Sequence, residues 1–159
     1  MTVYLIDPSN WNDANFWNTI AESADGHVLD FSGLPSSFQL SMVSNTGKLS
    51  ISDGTTTFVV GDASASGPVD AQLGLPTEFE YFSIVGASGN DTFTGSSGSE
   101  NFSGSDGNDS FYGNSGNDTL SGGDGDDTFS IYGSGGGLDQ IDGGAGFDKI
   151  EGSTGNDVL

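Results

Sequence analysis

The sequence predicts an all-β chain: a parallel β-solenoid preceded by a β-rich capping module that contains one short helix. Three observations predict it. From Gly86 onward the chain repeats every nine residues, with glycine at the fourth place and a large apolar residue at the eighth place of each unit. The residues before Gly86 carry short runs of alternating apolar and polar side chains broken by Gly, Pro, Ser and Asn, the pattern of short strands. The repeats are also so rich in glycine and aspartate, as in GNSGNDTLSGGDGDD from Gly113 to Asp127, that they stay disordered unless something holds them.

Composition sharpens the need for a staple. Of 159 residues only 33% are apolar, and 23 acids against Lys48 and Lys149 give a formal net charge of −21. That balance argues against nucleic acid and anionic membrane surfaces as partners. Residues 1–85 hold 10 of the acids and 7 of the 27 glycines, and residues 86–159 hold 13 and 20, so a boundary near Val85 divides the chain into two modules. The absence of cysteine excludes a disulfide, a thiolate metal site and a thiol nucleophile. MTVYLIDPSN has no basic residue and no long apolar run, so it reads as neither a secretory signal nor an anchor, and no segment approaches the length of a membrane span.

The repeat is read from its glycines. The units are GASGNDTFT from Gly86, GSSGSENFS from Gly95, GSDGNDSFY from Gly104, GNSGNDTLS from Gly113 and GGDGDDTFS from Gly122. After an insertion of Ile131, Tyr132 and Gly133 come SGGGLDQID from Ser134, GGAGFDKIE from Gly143 and GSTGNDVL from Gly152. The invariant fourth glycine and the nearly invariant first suit a chain that takes positive φ or passes close to another atom. The sixth place is always a carboxylate: Asp91, Glu100, Asp109, Asp118, Asp127, Asp139, Asp148 and Asp157. The eighth is Phe93, Phe102, Phe111, Leu120, Phe129, Ile141, Ile150 or Leu159. Six turn residues followed by a three-residue strand with one inward side chain bury nothing alone, so the units must stack.

This pattern, G-G-x-G-x-D-x-U-x with U large and apolar, resembles the nonapeptide of the repeats-in-toxin (RTX) calcium-binding family. The resemblance implies a right-handed parallel β-roll with two nonapeptides per coil and Ca²⁺ between the turn of one unit and that of the unit two further on. It implies as ligands the eight position-six carboxylates, with backbone carbonyls of Gly86, Gly89, Gly104, Asp106, Gly107, Gly113, Ser115, Gly116, Gly122, Asp124, Gly125, Gly143 and Gly146. The residues support a cation independently. Coils about 4.8 Å apart put successive position-six carboxylates within about 5 Å, at a cost of roughly 3 kcal/mol per pair. A hard cation that takes about six to eight oxygens removes that cost and uses turn carbonyls as ligands.

Other readings of the repeats are weaker. A flexible linker needs neither fixed phase nor an apolar eighth place, and no EF-hand loop occurs. The Asn-x-Ser/Thr triplets at Asn90, Asn101, Asn108 and Asn117 recur because the repeat does. Two departures bear on the count of ions: Glu100 is a methylene longer than aspartate, and the insertion must loop out or widen one coil. Eight turns paired with their next-but-one neighbours then suggest about four to six Ca²⁺ ions.

In the first module, residues 8–23 read as a short helix capped by Asn10 or Asp13, with Phe16, Trp17 and Ile20 on one side. HVLDFSGL, SFQLSMV, KLSISDG and TTFVVGD read as strands, and EFEYFSIV enters the repeats with Ile84 already in the eighth-place phase, so the sheet is expected to continue across the boundary. The module is read as a cap for an exposed solenoid end. The alternative is a carbohydrate-binding surface made by Trp11, Phe16 and Trp17.

The expectation for function is a non-enzymatic, calcium-folded, secreted or cell-surface module of an RTX-type protein, exported by a type I route and acting as a structural or adhesive element such as an adhesin or surface layer. His27 is the only histidine, and no serine or aspartate has an evident activating partner. Asp7-Pro8 as a self-cleavage bond is weak. The alternative is the targeting or folding module of a larger secreted enzyme or self-processing protein; the eighth unit stops one residue short, which suits a fragment. Besides calcium, the partners expected are a second copy, end to end, and an extracellular polysaccharide or surface component.

Overall fold

The computed structural model describes residues 3–19, 27–43, 48–61, 71–72, 82–95, 98–132, 137–152 and 158. It is an all-β parallel β-roll. One sheet runs β1 (Val3–Leu5), β2 (His27–Asp30), β7 (Phe82–Val85), β9 (Asn101–Asp106), β11 (Thr119–Asp124) and β13 (Gln140–Ala145), all parallel. The other holds β14 (Lys149–Gly152), β12 (Thr128–Ile131), β10 (Ser110–Tyr112), β8 (Thr92–Thr94) and β3 (Gln39–Val43) in parallel. Antiparallel β4 (Lys48–Ser52) and β5 (Thr57–Gly61), and then β6 (Ala71–Gln72), extend this second sheet. Successive repeats alternate between the sheets, so two nonapeptides make one coil.

The sheets run through Val85 without a break. Ile84 lies level with Leu29 on one side and Phe102 on the other, as its phase requires. The segment from β2 to β3 is itself a coil of the roll, since β2 pairs with β7 and β3 with β8. Within the repeats, the three-residue strands, β8 and β10, lie on one sheet. On the other, β9, β11 and β13 have six residues, because pairing resumes past a skipped residue: Ser103 opposes Ser121, then Ser105 opposes Gly123. The skip is possible where Gly123 takes a φ of 111°.

Position-eight side chains form the core between the sheets. Phe93, Phe102, Phe111, Leu120 and Phe129 are fully buried, and Ile141 nearly so. Phe93, Phe111 and Phe129 stack along one sheet with centroids 5.1 and 4.8 Å apart and planes within 17° and 6°. Ile150 is half-buried on the last strand, and Leu159 lies outside the described residues. The insertion widens one coil: the spacing between stacked residues grows from 18 to 21, as in Thr119 over Gln140. Ile131 is buried as an extra residue of β12, and Tyr132 is exposed.

The helix is α1 (Ala14–Thr19), and Asp13 caps it by accepting the Asn15 N–H at 2.8 Å. Trp11 and Trp17 belong to the interior, joined by the Trp17 Nε1–H bond to the Trp11 carbonyl at 2.9 Å. That removes both tryptophans as a sugar-stacking platform: Trp17, on the helix, and Trp11, in the turn before it, both face the interior. Phe16 is half-buried beside Trp17, and Ile20 lies outside the described residues.

Removing the middle ring of the stack, in Phe111→Ala, should cost about 3–5 kcal/mol. Tyr112→Ala, on the same strand but facing solvent, should cost under about 1 kcal/mol. Thermal unfolding of both variants in calcium checks the contrast.

Candidate metal centre

Each position-six residue sits where a turn enters a strand, and stacking places it over its counterpart one coil away. Asp91, Glu100, Asp109, Asp118, Asp127 and Asp139 are all buried, whereas Asp148 is exposed and Asp157 lies outside the described residues. One carboxylate oxygen has a fixed task. Asp109 Oδ1 accepts the Asp91 N–H at 2.7 Å, Asp118 Oδ1 the Glu100 N–H at 2.9 Å, and Asp127 Oδ1 the Asp109 N–H at 2.8 Å. Asp139 and Asp148 do the same for the N–H groups of Asp118 and Asp127 at 3.0 and 3.1 Å. The carboxylate ladder thus ties neighbouring coils through the backbone.

The second oxygen is different. Asp109 Oδ2, Asp118 Oδ2 and Asp127 Oδ2 are buried without a hydrogen-bond partner. For Asp109 and Asp127, the oxygen lies over the first glycine of the same unit, Gly104 or Gly122, close to the carbonyl oxygen of the first glycine one coil on, Gly122 or Gly143. A Cβ on Gly104 or Gly122 would collide with this carboxylate, so the first glycine is a requirement of space there. Asp118 Oδ2 is placed likewise, 2.8 Å from where a Cβ on Gly113 would stand. Glu100 fits despite its length: its Oε2 reaches the matching place over Gly95, beside the Gly113 carbonyl.

Fourth glycines have another reason. Gly107, Gly116, Gly125 and Gly146 take positive φ, and each packs on the carbonyl of the fourth glycine one coil back, as Gly107 does on Gly89. Of the other carbonyls expected as ligands, that of Gly86 accepts the Ser105 hydroxyl at 3.1 Å and that of Asp124 accepts the Gly107 N–H at 2.8 Å. Those of Asp106 and Ser115 lie in the same turns, and the Asp106 side chain faces solvent. Among the described residues no three acidic or imidazole side chains converge. A cation here would be held largely by main-chain oxygens.

The electrostatics correct one step of the sequence reasoning. Repulsion between stacked carboxylates is real but secondary. Burial pushes the carboxyls of Asp91, Asp109 and Asp118 up to about 7 and also raises that of Asp127. For Asp109, the charges of Asp91, Asp127 and Asp106 add to burial, and the Asp91 N–H opposes it.

A second ladder escaped the sequence reading. At position five, Asn90 Oδ1 accepts the Asn108 N–H at 2.9 Å, Asn108 Oδ1 the Asp126 N–H at 3.0 Å, and Asp126 Oδ1 the Phe147 N–H at 2.8 Å. On the opposite flank, Ser99 Oγ accepts the Asn117 N–H at 3.2 Å and Asn117 Oδ1 the Leu138 N–H at 2.9 Å. The signal was present: short polar residues recur at the fifth place of the units up to Asp126.

Orphaned buried carboxylate oxygens beside carbonyls, repeated coil after coil, define a β-roll of the cation-binding kind. The family comparison agrees: residues 83–109, 94–129 and 131–159 match the model of the RTX calcium-binding nonapeptide repeat, in four copies. Residues 83–159 belong to this repeat family, and they form a calcium-binding module. No curated protein matches the chain.

Two outcomes are expected. A carboxyl whose pKa is raised by folding favours the fold at low pH and opposes it as pH rises through the interval between the open-chain value and about 7. In EDTA the protein should therefore gain β-structure between pH 8 and pH 5, read by circular dichroism, and calcium affinity should fall over the same range; acid-induced loss of β-signal in EDTA would contradict this. Asp118→Ala should lower the number of bound calcium ions, whereas Asp106→Ala, on an exposed side chain, should leave it unchanged. Equilibrium dialysis distinguishes the two.

Proposed function

We propose that this chain is a calcium-folded, secreted or cell-surface structural module, in which residues 86–159 form the metal-dependent roll and residues 1–85 cap it. The observation that carries this reading is the undonated, buried Oδ2 of Asp109, Asp118 and Asp127. A buried carboxylate oxygen without a donor is costly, and here the cost recurs in three successive units. Bound calcium supplies positive charge and coordination places for oxygens that otherwise face one another. Asp109, Asp118 and Asp127 would offer Oδ2 to it, and the first-place carbonyls of Gly122 and Gly143 lie beside the Asp109 and Asp127 oxygens.

Export fits the same chemistry. Where free calcium is scarce, as inside a bacterial cell, 13 acids in residues 86–159 keep that segment open. Outside the cell the ions that close the coils are available. Among the described residues no helix is long and apolar enough to cross a membrane. A structural or adhesive role is supported by a surface of stacked turns and by the lack of an activated nucleophile in the sequence.

Chelation tests the reading. EDTA at neutral pH should remove most of the β-signal contributed by residues 86–159, and millimolar Ca²⁺ should restore it. Circular dichroism unchanged by EDTA would exclude calcium-coupled folding.

A further inference from the structure

Asp91 stands at the joint between the N-terminal coil and the repeats, and it differs from its counterparts. One coil earlier on its flank, the turn of residues 31–38 leads into β3, where Ser41 lies level with Thr92. Leu40 therefore occupies the place of a position-six acid. Its N–H donates to Asp91 Oδ1 at 2.7 Å, and the Ala87 N–H donates to Asp91 Oδ2 at 2.8 Å. Both oxygens are satisfied by the backbone of two different coils, whereas Asp109, Asp118 and Asp127 each leave one oxygen without a donor.

The surroundings agree with this division. Leu34, Phe38, Leu40, Ile84, Ala87 and Phe93 are buried around the joint. The Phe31 N–H bonds to the Val85 carbonyl at 2.8 Å and Ser88 Oγ to the Leu34 carbonyl at 3.2 Å, so two further hydrogen bonds join the two coils besides those of the carboxylate. A cation at Asp91 Oδ2 would have to share that oxygen with the N–H of fully buried Ala87, whereas the Oδ2 atoms of Asp109, Asp118 and Asp127 face no donor.

We propose that Asp91, unlike Asp109, Asp118 and Asp127, is a calcium-independent latch. It fastens the first repeat to the coil of residues 27–43, which folds on an apolar interior and presents a finished edge. The calcium-dependent coils then assemble on that edge in chain order. The proposal rests on the calcium reading of the later repeats and assigns to their first member a different task.

Amide hydrogen exchange of the full chain in EDTA, followed by NMR, tests the latch without any substitution. The Leu40 and Ala87 amides should exchange at least roughly a hundredfold more slowly than open chain, while those of Asp109 and Asp118 exchange freely. Calcium titration adds a second arm. Asp91→Asn should bind as many ions as the unmodified chain but need roughly tenfold more calcium to fold, because the template is weakened; Asp109→Asn should lose at least one ion. Free exchange of Leu40 and Ala87 in EDTA, or loss of an ion in Asp91→Asn, would overturn the latch. If Asp91→Asn does not fold even in calcium, the exchange rates of the unmodified chain decide. A chain that binds no calcium yet protects Leu40 and Ala87 would refute the calcium reading and support the latch.

Discussion

A carboxylate has two oxygens, and this fold spends one of them on the main chain. The bond from each position-six N–H to the carboxylate one coil on sets the height of every coil above the last. It also draws the acid out of water. Once the Asp91 N–H fixes the Asp109 carboxylate in this way its other oxygen cannot turn to solvent, and only a glycine at Gly104 leaves it room. Burial of charge, the spacing of the coils and the glycine-rich composition are thus one constraint seen from three sides. A neutral asparagine at position six would lower the cost of burial but would also remove the charge that attracts a cation.

Much of this was legible in the residues. The phase of nine located the position-eight core and the position-six acids because both follow from stacking, which allows no drift. Ile84 could be placed before Gly86 for the same reason, and the helix cap was narrowed to Asn10 or Asp13 by side-chain chemistry. The rest depends on atoms that a one-dimensional pattern does not contain. The six-residue strands of one sheet arise from a skipped residue at Gly104, although both sheets use the same consensus. The first and fourth glycines look alike in sequence, yet Gly104 answers a carboxylate and Gly125 a left-handed backbone. Trp11 and Trp17 could not be told from a surface pair until the turn of residues 31–38 covered them. Position five was passed over because no rule of strand or turn formation singles it out.

The insertion shows how the same constraint tolerates error. Three extra residues between Phe129 and Asp139 stretch one coil to 21 residues, yet Asp118 and Asp127 still find their acceptors on Asp139 and Asp148. Ile131 takes up the slack by entering the interior, where its side chain comes within 3.4 Å of the place a Cβ on Gly152 would fill. Ladder contacts are preserved and the outline of the coil changes. Length between ladders is negotiable; the rung is not.

The two ladders point in opposite directions. At position six the later coil supplies the acceptor, and at position five the earlier coil does, so a coil is joined from both sides only when its neighbours carry both kinds of side chain. Leu138 and Phe147 receive the position-five bond but have no side-chain oxygen to pass it on, and both are exposed. Stacked repeats have no natural measure of their own length, since any coil can in principle accept another. The position-five ladder therefore ends at these two residues, one on each flank, although Val158 still pairs with Gln140 beyond Leu138. A coil stacked beyond them goes without the position-five bond and depends on the backbone pairing and the position-six ladder alone.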